Sequence, residues 1–397
     1  MKKLGIGLGV FVLLGAAVWW MIGSDWRRLI TSLPTDAEVL FWTESQRDAG
    51  FRMLDRVPML VASREIPASD TLRPLEQGAE LTLPIDVDAY MTEQRHAALV
   101  VLQDGKIRLE RYGLGFKDDG RWTSFSVAKS FTSTLVGIAV KEGDIESLSD
   151  PVSKYISGLE NSAYDDVTVE QLLTMSSGVA WDETYTDPSS DVAKFNLHVA
   201  EDGGSNLVSY MATLPRAHPA GEVWNYSTGE TNLIGVLVGE ATGRTLSEYL
   251  SEKIWKPYGM QQDASWLLND DGTEISGCCI QAPTRDFARF GQFILEGAQI
   301  NGERLVPEDW LARATTTRIG YGEPGHGYGY QWWTYDDGAF AADGIFGQGI
   351  FIDPSRNLVI ATNSNWTTAL GDVGGEHAKR EDFYKLVTAA IDAENTP

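Results

Sequence analysis

Residues 123–140 read TSFSVAKSFTSTLVGIAV, and this run predicts a buried helix with a serine near its beginning. The large apolar residues Phe131, Leu135 and Ile138 recur at the spacing of one helical face. Gly143 lies just beyond the run and predicts the end of the helix, because glycine readily adopts the left-handed conformation found there. Lys129 is the only charged residue of the run, so we expect the helix to pass through the core.

Ser126 and Lys129 stand three residues apart at the start of this predicted helix. Free main-chain N–H groups and the positive end of the helix dipole meet in the first turn, and a residue three positions on returns to the same face. A serine hydroxyl becomes a good nucleophile when a neighbouring base takes its proton. Burial favours the neutral amine of a lysine. The pair therefore predicts a nucleophile and its base beside N–H groups that suit an oxyanion.

A structural alternative for the same pair is a helix-capping serine followed by a lysine whose stem covers apolar surface. The pattern Ser-x-x-Lys is expected about once by chance in a chain of this composition and length. Lys129 is, however, the only lysine of the chain that has a serine three residues before it. The catalytic interpretation therefore depends on further motifs.

The composition argues against several classes of function. The chain has 32 Lys and Arg residues against 56 Asp and Glu, a net charge of −24, and such a surface repels nucleic acids. The five histidines are scattered and no H-E-x-x-H motif occurs, so no metal, no cofactor and no histidine triad are predicted. Cys278 and Cys279 are the only cysteines. They are predicted to be small buried residues, because a disulfide between neighbours is strained.

The N-terminus carries a membrane signal, in which Lys2 and Lys3 precede the apolar run from Leu4 to Gly23. A helix of about 20 residues spans about 30 Å, the thickness of the hydrocarbon core of a bilayer. The run is longer than the apolar core of a cleaved signal peptide, so residues 1–24 are predicted to be an uncleaved anchor, with secretion after cleavage as the alternative. The lysines place the N-terminus in the cytoplasm. This predicts a bacterial inner-membrane protein with its body in the periplasm or outside the cell.

The region after the predicted anchor has little periodicity. Scattered prolines at residues 25–85 predict a loosely structured lead-in that wraps the main domain. Two strand-like runs, 96–102 and 107–112, then flank Asp104-Gly105 and predict a hairpin. The predicted serine helix follows this hairpin.

Strands return in the last part of the chain, after a mostly helical stretch at about 148–315. Three strands and a closing helix are predicted at 328–333, 349–352, 358–362 and 376–394. An antiparallel sheet built from both chain ends, flanked by helices and carrying a helical insertion, is an α/β architecture of the α+β type. We expect this main domain over residues 86–395, with a site in the cleft between its layers.

Two further segments suit a cleft. The turn-rich residues 219–229 contain Tyr226, whose hydroxyl would serve as a proton relay, the alternative being a packing tyrosine bonded to the main chain. Residues 341–349 read AADGIFGQG and precede a strand. Glycines there allow a ligand or another backbone to approach closely and offer a main-chain N–H to an oxyanion. Bulge or turn glycines are the alternative.

The order Ser126-x-x-Lys129, Tyr226-Ser227-Thr228 and the glycine-rich segment 344–349 resembles the serine β-lactamase-like superfamily. The sequence is most similar to the branch that holds class C β-lactamases, related esterases and 6-aminohexanoate-dimer hydrolase. Further segments that look like this branch are 174–178, 285–291 and 328–330. The resemblance extends from about residue 85 to the C-terminus, and it implies a β-lactamase/transpeptidase-like fold.

For the site, the resemblance implies an acyl-enzyme mechanism. Ser126 would be the acylated nucleophile, Lys129 its activating partner, and Tyr226 the acid and base that serves the leaving group and then water. The N–H groups of Ser126 and Ile345 would form the oxyanion hole. The residues expected to contact the substrate are Tyr185, Thr228, Gly344 and Gln348.

Two departures from the family pattern bear on the substrate. Thr228 stands where class C enzymes have asparagine, so one amide donor is lost. Neither Lys-Thr-Gly nor His-Thr-Gly, found in penicillin-binding relatives, occurs in the chain. The missing cation would cost a substrate carboxylate a contact worth about 1.5–3 kcal/mol.

The sequence is therefore interpreted as a serine hydrolase that acts on small-molecule esters or linear amides. One alternative is a β-lactamase or an enzyme similar to D-Ala-D-Ala carboxypeptidases. The alternative from another class is a catalytically silent protein that binds envelope material. The presence of Ser126, Lys129 and Tyr226 together argues against the silent protein.

Overall fold

The computed structural model describes residue 15 and residues 17–36, 38–57, 61–201 and 204–394. Most of the predicted anchor at residues 1–24 lies outside these ranges. Within them, no helix has both the length and the apolar character needed to cross a bilayer.

Helices occur along the whole described chain. In order they are α1 (Ser24–Thr31), α2 (Glu44–Gly50), α3 (Val87–Glu93), α4 (Ala128–Glu142), α5 (Val169–Leu173), α6 (Asp191–Lys194), α7 (Asn206–Ala212), α8 (Thr228–Thr242), α9 (Leu246–Leu250), α10 (Lys256–Tyr258), α11 (Thr284–Leu295), α12 (Trp310–Ala314) and α13 (Glu376–Glu394). A 3₁₀ turn at Phe125–Val127 leads directly into α4.

The strands are β1 (Ser63–Ile66), β2 (Glu76–Gln77), β3 (His96–Gln103), β4 (Lys106–Tyr112), β5 (Trp122–Thr123), β6 (Ala264–Leu267), β7 (Ile280–Ala282), β8 (Gln299–Ile300), β9 (Glu303–Arg304), β10 (His326–Tyr328), β11 (Trp333–Tyr335), β12 (Phe340–Gly344), β13 (Gln348–Asp353) and β14 (Leu358–Ser364). Eight of them form a sheet in the order β10-β11-β12-β13-β14-β3-β4-β2. All its pairs are antiparallel except β2 with β4. A smaller sheet has the order β1-β6-β7-β5.

Both faces of the large sheet are apolar. Successive side chains of a strand point to opposite sides of a sheet, and the strands carry apolar residues at consecutive positions. Along β14, Val359 and Ala361 join the main core together with the phenylalanines of α11. Leu358 and Ile360 instead face the closing helix α13. The expected architecture is confirmed: strands from both chain ends form one sheet between helical layers.

The predicted buried helix is α4, and residues Ala128 to Ala139 are buried without exception. It ends at Gly143, whose φ of 88° is the left-handed conformation expected of that glycine. Phe131 of α4 stacks on Phe290 of α11 with ring centroids 3.5 Å apart. Helix α4 packs against α8 and contacts β12, and the serine turn at its N-terminal end contacts β12 and β13.

Two sequence-based expectations differ from the structure. The single strand expected at 328–333 is two strands, β10 and β11, because Gln331 has a φ of 62° and a side chain at Gly329 would collide with the carbonyl of Ala314. The lead-in at residues 25–85 contains α1, α2, β1 and β2, so it is more regular than expected. Helix α2 is too short to show periodicity, but a capping box between Thr43 and Gln46 begins it.

The first turn of α8 contains a buried carboxyl group, that of Glu230. It accepts hydrogen bonds from the hydroxyls of Ser177 and, at 3.4 Å, Tyr164. Burial raises the pKa of Glu230 from an ordinary value of 4.5 to about 8. The protonated carboxyl therefore belongs to the folded state at neutral pH, and it links the Ser177-Gly178 turn to α8.

This pKa predicts a pH-dependent stability. Between about pH 4.5 and pH 8 the folded protein holds a proton on Glu230 that the unfolded chain has released, so the free energy of unfolding should fall as the pH rises through this window. Glu230→Gln keeps a neutral side chain and should reduce that fall. Urea unfolding at pH 5, 6.5 and 8 measures it. Glu240→Gln, on the exposed part of the same helix, should keep the wild-type dependence, and an identical dependence in Glu230→Gln would contradict the prediction.

Candidate active site

Ser126 lies in the 3₁₀ turn that precedes α4. The residue before it, Phe125, has a φ of 41°, a left-handed conformation that costs a non-glycine residue energy. The ring of Phe125 packs against Phe51 at 5.0 Å and Phe346 at 5.6 Å, measured between centroids. These contacts hold the strained residue in place, and Ser126 thereby reaches a cleft while keeping only 9% of its surface exposed.

Lys129 is buried beside Ser126, with 2% of its surface exposed. Its Nζ donates hydrogen bonds to the carbonyl oxygen of Gly277 at 2.7 Å and to Oγ1 of Thr228 at 3.0 Å. Burial lowers the pKa of Lys129 to about 8, while the carboxylate of Glu183 acts in the opposite direction. At pH 7 about a tenth of the amine is therefore neutral and able to accept a proton, far more than for an ordinary lysine.

Tyr226 comes from the segment that enters α8, far along the chain from Ser126. Its hydroxyl lies close enough to the side chain of Ser126 for that serine to lower the pKa of the phenol, and both residues line the same cleft. Its ring centroid lies 5.3 Å from Nζ of Lys129. Burial raises the pKa of Tyr226 well above its usual value, helped by the charge of Glu183. The phenol is therefore protonated at neutral pH and can act as an acid.

Gly344, the last residue of β12, lies against the main chain of the serine turn. A Cβ at this position would be 2.7 Å from the carbonyl oxygen of Ser124 and 3.0 Å from the amide nitrogen of Ser126. No side chain fits this space without moving backbone. The glycine therefore lets the end of β12 contact the serine turn, and the next residue, Ile345, lines the cleft beside Ser126.

We predict that Gly344→Ala damages catalysis more than folding. The added methyl group would push the end of β12 away from Ser126 and displace the main-chain N–H of Ile345, which is predicted to donate to an oxyanion. The loss of one such donor typically costs about 10²–10³-fold in kcat, and steady-state kinetics measures this. Gly239→Ala is the control, because its Cβ would make only an ordinary 3.6 Å contact. Wild-type kcat in Gly344→Ala would contradict the close packing.

The cleft in front of Ser126 has a volume of about 1260 Å³. One wall is aromatic, with Trp224 5.0 Å from Tyr321 and Tyr226 stacked at 5.6 Å on Trp333, between ring centroids. This wall suits a substrate with an extended apolar part.

The other wall of the cleft is charged. The cations there, Arg380 and Lys385, form ion pairs with Asp343 at 2.8 Å and Asp382 at 3.2 Å. Asp343 precedes Gly344 on β12 and lines the same cleft as Ser126.

The remaining residues expected to contact the substrate lie in different places. Tyr185 lines the cleft and donates its hydroxyl to Glu183 at 2.9 Å. Thr228 is turned towards Lys129 instead. Gln348 is fully buried, and its side chain bonds to the main chain of Ile345 and Ser364. The structure thus does not bring Gln348 to the cleft; the residue supports the turn after Gly344.

Glu183 is not among the site residues predicted from the sequence, although Tyr185 of the same segment is. The Glu183 carboxylate accepts hydrogen bonds from both the main-chain N–H and the hydroxyl of Thr228, at 3.0 and 2.5 Å. A Glu-x-Tyr pair in a loop after Trp181 is the available signal, but it is too short to be distinguished from a surface loop.

Cys278 and Cys279 require a correction. They are joined by a disulfide bond, whereas two unpaired small residues were predicted. Cys279 has a φ of 79°, a left-handed main-chain conformation. The preceding residue, Gly277, supplies the carbonyl that binds Lys129. Across the described part of the chain, no three His, Cys, Asp or Glu side chains are grouped so that they could hold a metal ion.

Ser126, a buried lysine and a tyrosine thus lie near the end of β12, within a sheet and helices of the β-lactamase/transpeptidase fold. The profile of the Beta-lactamase family matches residues 87–383. The chain belongs to the Beta-lactamase family, whose members are serine hydrolases.

Known relatives agree with this family. The 6-aminohexanoate-dimer hydrolase of Paenarthrobacter ureafaciens is 28% identical over 370 residues, which cover 89% of this chain and 93% of that protein. A beta-lactamase of Pseudomonas fluorescens is 26% identical over 184 residues, 44% of this chain and 48% of that protein.

Solved structures share the fold. A Bacillus anthracis structure named after 6-aminohexanoate-dimer hydrolase has a TM-score of 0.76 at 22% identity and covers 89% of this chain and 95% of its own. EstCE1, a hydrolase with promiscuous acyltransferase activity, has a TM-score of 0.61 at 12% identity and covers 77% of this chain and 96% of its own. At these identities the likeness supports the fold, and the fold class expected from the sequence is confirmed.

Proposed function

We propose that this protein hydrolyses small esters or linear amides through an acyl-enzyme formed on Ser126, with Lys129 as the base and Tyr226 as the acid and base of the leaving-group side. The observation that carries the proposal is the convergence of these three groups. The side chain of Ser126 lies close enough to Tyr226 to lower the pKa of the phenol, and the amine of Lys129 lies 5.3 Å from the centroid of the tyrosine ring.

The proposed reaction has two halves. In acylation, Oγ of Ser126 attacks the substrate carbonyl carbon and its proton passes to the neutral amine of Lys129. As the bond to the leaving group breaks, Tyr226 gives its phenolic proton to the departing alcohol or amine and regains one from Lys129. In deacylation, Tyr226 passes its phenolic proton to the neutral amine of Lys129 as it takes a proton from the attacking water, and the proton held by Lys129 then returns to Oγ of Ser126 as the acid is released.

The oxyanion that forms in each half needs two N–H donors. The main-chain N–H groups of Ser126 and Ile345 are our proposed pair. Support comes from the close packing of Gly344 on Ser126, which brings these two backbone segments together. Such donors act strongly because they are fixed before the charge develops.

The charges of the cleft favour a substrate without a carboxylate near the scissile bond. Asp343 lies on β12 beside the serine turn and holds the buried cation Arg380 in an ion pair, whereas Lys385 is paired with Asp382 at the exposed rim of the cleft. A β-lactam carboxylate would therefore find no buried, unpaired cation among the described residues beside the serine turn with which to form a charge-assisted hydrogen bond. We therefore propose esters or linear amides as substrates, and the name of the 6-aminohexanoate-dimer hydrolase relative is consistent with amides.

A chromogenic ester tests the proposal. Rapid mixing with a p-nitrophenyl ester should release a burst of p-nitrophenol equal to the enzyme concentration, followed by slower turnover. A fluorophosphonate should add its mass to the peptide that contains Ser126. Labelling of a different residue would overturn the assignment, and a folded wild-type protein that is never labelled would favour the catalytically silent alternative.

A comparison of substrates tests the preference. We expect a higher kcat/KM for a neutral p-nitrophenyl ester and a neutral p-nitroanilide than for matched compounds that carry a carboxylate, including a chromogenic cephalosporin. A cephalosporin that is hydrolysed faster than the neutral ester would instead support a β-lactamase.

Membrane attachment remains part of the proposal. Support for it is the apolar run from Leu4 to Gly23 after Lys2 and Lys3. We expect the full chain to stay with bacterial membranes after carbonate extraction. A variant beginning at residue 25 should be recovered in the soluble fraction, and recovery of the full chain there would contradict the anchor.

A further inference from the structure

The carboxylate of Glu183 joins the loop that carries Tyr185 to the beginning of α8. It accepts a hydrogen bond from the hydroxyl of Tyr185 at 2.9 Å and one from the indole N–H of Trp181. On the helix side it accepts two more, from the N–H of Thr228 at 3.0 Å and from its hydroxyl at 2.5 Å. Four donors therefore converge on one carboxylate at the rim of the catalytic cleft.

The hydroxyl of Thr228 connects this carboxylate to the catalytic lysine. Oγ1 of Thr228 also accepts a hydrogen bond from Nζ of Lys129 at 3.0 Å. An ionised carboxylate can only accept, so the hydroxyl proton of Thr228 points to Glu183 and a lone pair of the oxygen points to Lys129. The direction of both bonds follows, and the position of the lysine amine depends on Glu183 through Thr228.

The charges around Lys129 make this connection significant. The groups that face its amine are the phenol of Tyr226, the hydroxyl of Thr228, the carbonyl of Gly277 and, beyond Thr228, the carboxylate of Glu183. Among these only Glu183 carries a negative charge. It acts against the effect of burial and raises the proton affinity of the lysine.

We propose that Glu183 is a positioning residue of the hydrolase: through Thr228 it orients the amine of Lys129, and through Tyr185 it holds the loop against the cleft. This role rests on the proposed function and adds to it a residue that does not contact the reacting atoms. It also gives Thr228, where class C enzymes have asparagine, a task as the connecting hydroxyl.

The test measures the rate of covalent inactivation by a fluorophosphonate as a function of pH, which requires no knowledge of the natural substrate. In the wild type this inactivation rate should rise with pH, with its midpoint at the pKa of Lys129. In Glu183→Gln the amide offers its NH₂ group to one of the two hydrogen-bond donors of Thr228, so that donor loses its acceptor. The negative charge is also removed. The inactivation rate at its optimum should fall about 10-fold to 100-fold, and the midpoint should move to lower pH.

The control is Asp187→Asn, which removes a carboxylate from the same loop outside the cleft. Asp187 bonds only within its own turn, to the N–H of Ser189 at 2.7 Å. The pH midpoint of inactivation in Asp187→Asn should equal that of the wild type. If Glu183→Gln keeps the wild-type rate and midpoint, the positioning role is refuted. If the wild type itself is not labelled, the proposed function has failed instead.

Two further variants keep the test decisive. If thermal unfolding shows that Glu183→Gln does not fold, Glu183→Asp takes its place. This variant keeps the negative charge, but its side chain is shorter by one methylene and the carboxylate lies farther from Thr228. Its rate should fall while its midpoint stays at the wild-type pH, and a wild-type rate would overturn the proposal. Thr228→Val removes the connecting hydroxyl. In the double variant Glu183→Gln/Thr228→Val the two losses of inactivation rate should be less than multiplicative, because both changes interrupt the same chain of hydrogen bonds. Fully multiplicative losses would show that Thr228 does not couple Glu183 to Lys129.

Discussion

Ser126→Ala is expected to abolish hydrolysis and covalent labelling while leaving the fold intact. The methyl group fits the space of the serine side chain, but no oxygen remains to attack the carbonyl carbon. Loss of a nucleophile in serine hydrolases lowers kcat by about 10⁴–10⁶-fold. Steady-state kinetics with a p-nitrophenyl ester and intact-protein mass spectrometry after fluorophosphonate treatment measure the two effects.

A matched control for this substitution lies in the same helix. Ser133 of α4 is also buried, and its hydroxyl has no hydrogen-bond partner among the described residues. Ser133→Ala should therefore keep both activity and thermal stability close to those of the wild type. Burst kinetics that survive in Ser126→Ala would show that another group is acylated.

Lys129→Met should lower kcat/KM by about 10²–10⁴-fold, the usual contribution of a general base. Methionine has a similar length and suits a buried site, but its thioether takes no proton from Ser126. The wild type should show kcat/KM rising with pH about a midpoint near 8, because burial lowers the pKa of Lys129 to about 8 and the neutral amine is the active form. Below that midpoint the rate should fall tenfold per pH unit.

A pH profile from pH 5 to pH 10 provides the measurement. Lys141→Met, in the exposed last turn of α4, is the control and should retain the wild-type profile. A wild-type midpoint near the ordinary lysine pKa, or a Lys129→Met variant with full activity, would contradict the assignment of the base.

Much of the fold was accessible from the sequence because its signals are local. The helix α4 and its end at Gly143 follow from apolar spacing and from one glycine conformation. The hairpin of β3 and β4 follows from two apolar runs around a turn. The division of 328–333 into two strands could not be predicted, since the turn depends on the carbonyl of Ala314, which approaches Gly329 from another part of the chain.

Less of the candidate site than of the fold could be predicted from the sequence. Ser126 and Lys129 lie within one turn, so their proximity follows from helical geometry, and Tyr226 was suggested by its motif. Glu183 was missed and Gln348 misplaced. Both outcomes depend on which side of a loop or strand faces the cleft, and packing against distant residues decides this.

The order of residues alone determined the local chemistry of this protein. A serine and a lysine three residues apart at the start of an apolar helix must share a face, whatever surrounds them. Only the tertiary structure decided the protonation and orientation of that pair. Burial lowers the proton affinity of Lys129, and Glu183, Thr228 and Gly277 position its amine. These residues are 54 to 148 positions away along the chain, and electrostatic and hydrogen-bond energies depend on distance in space, which chain folding alone sets.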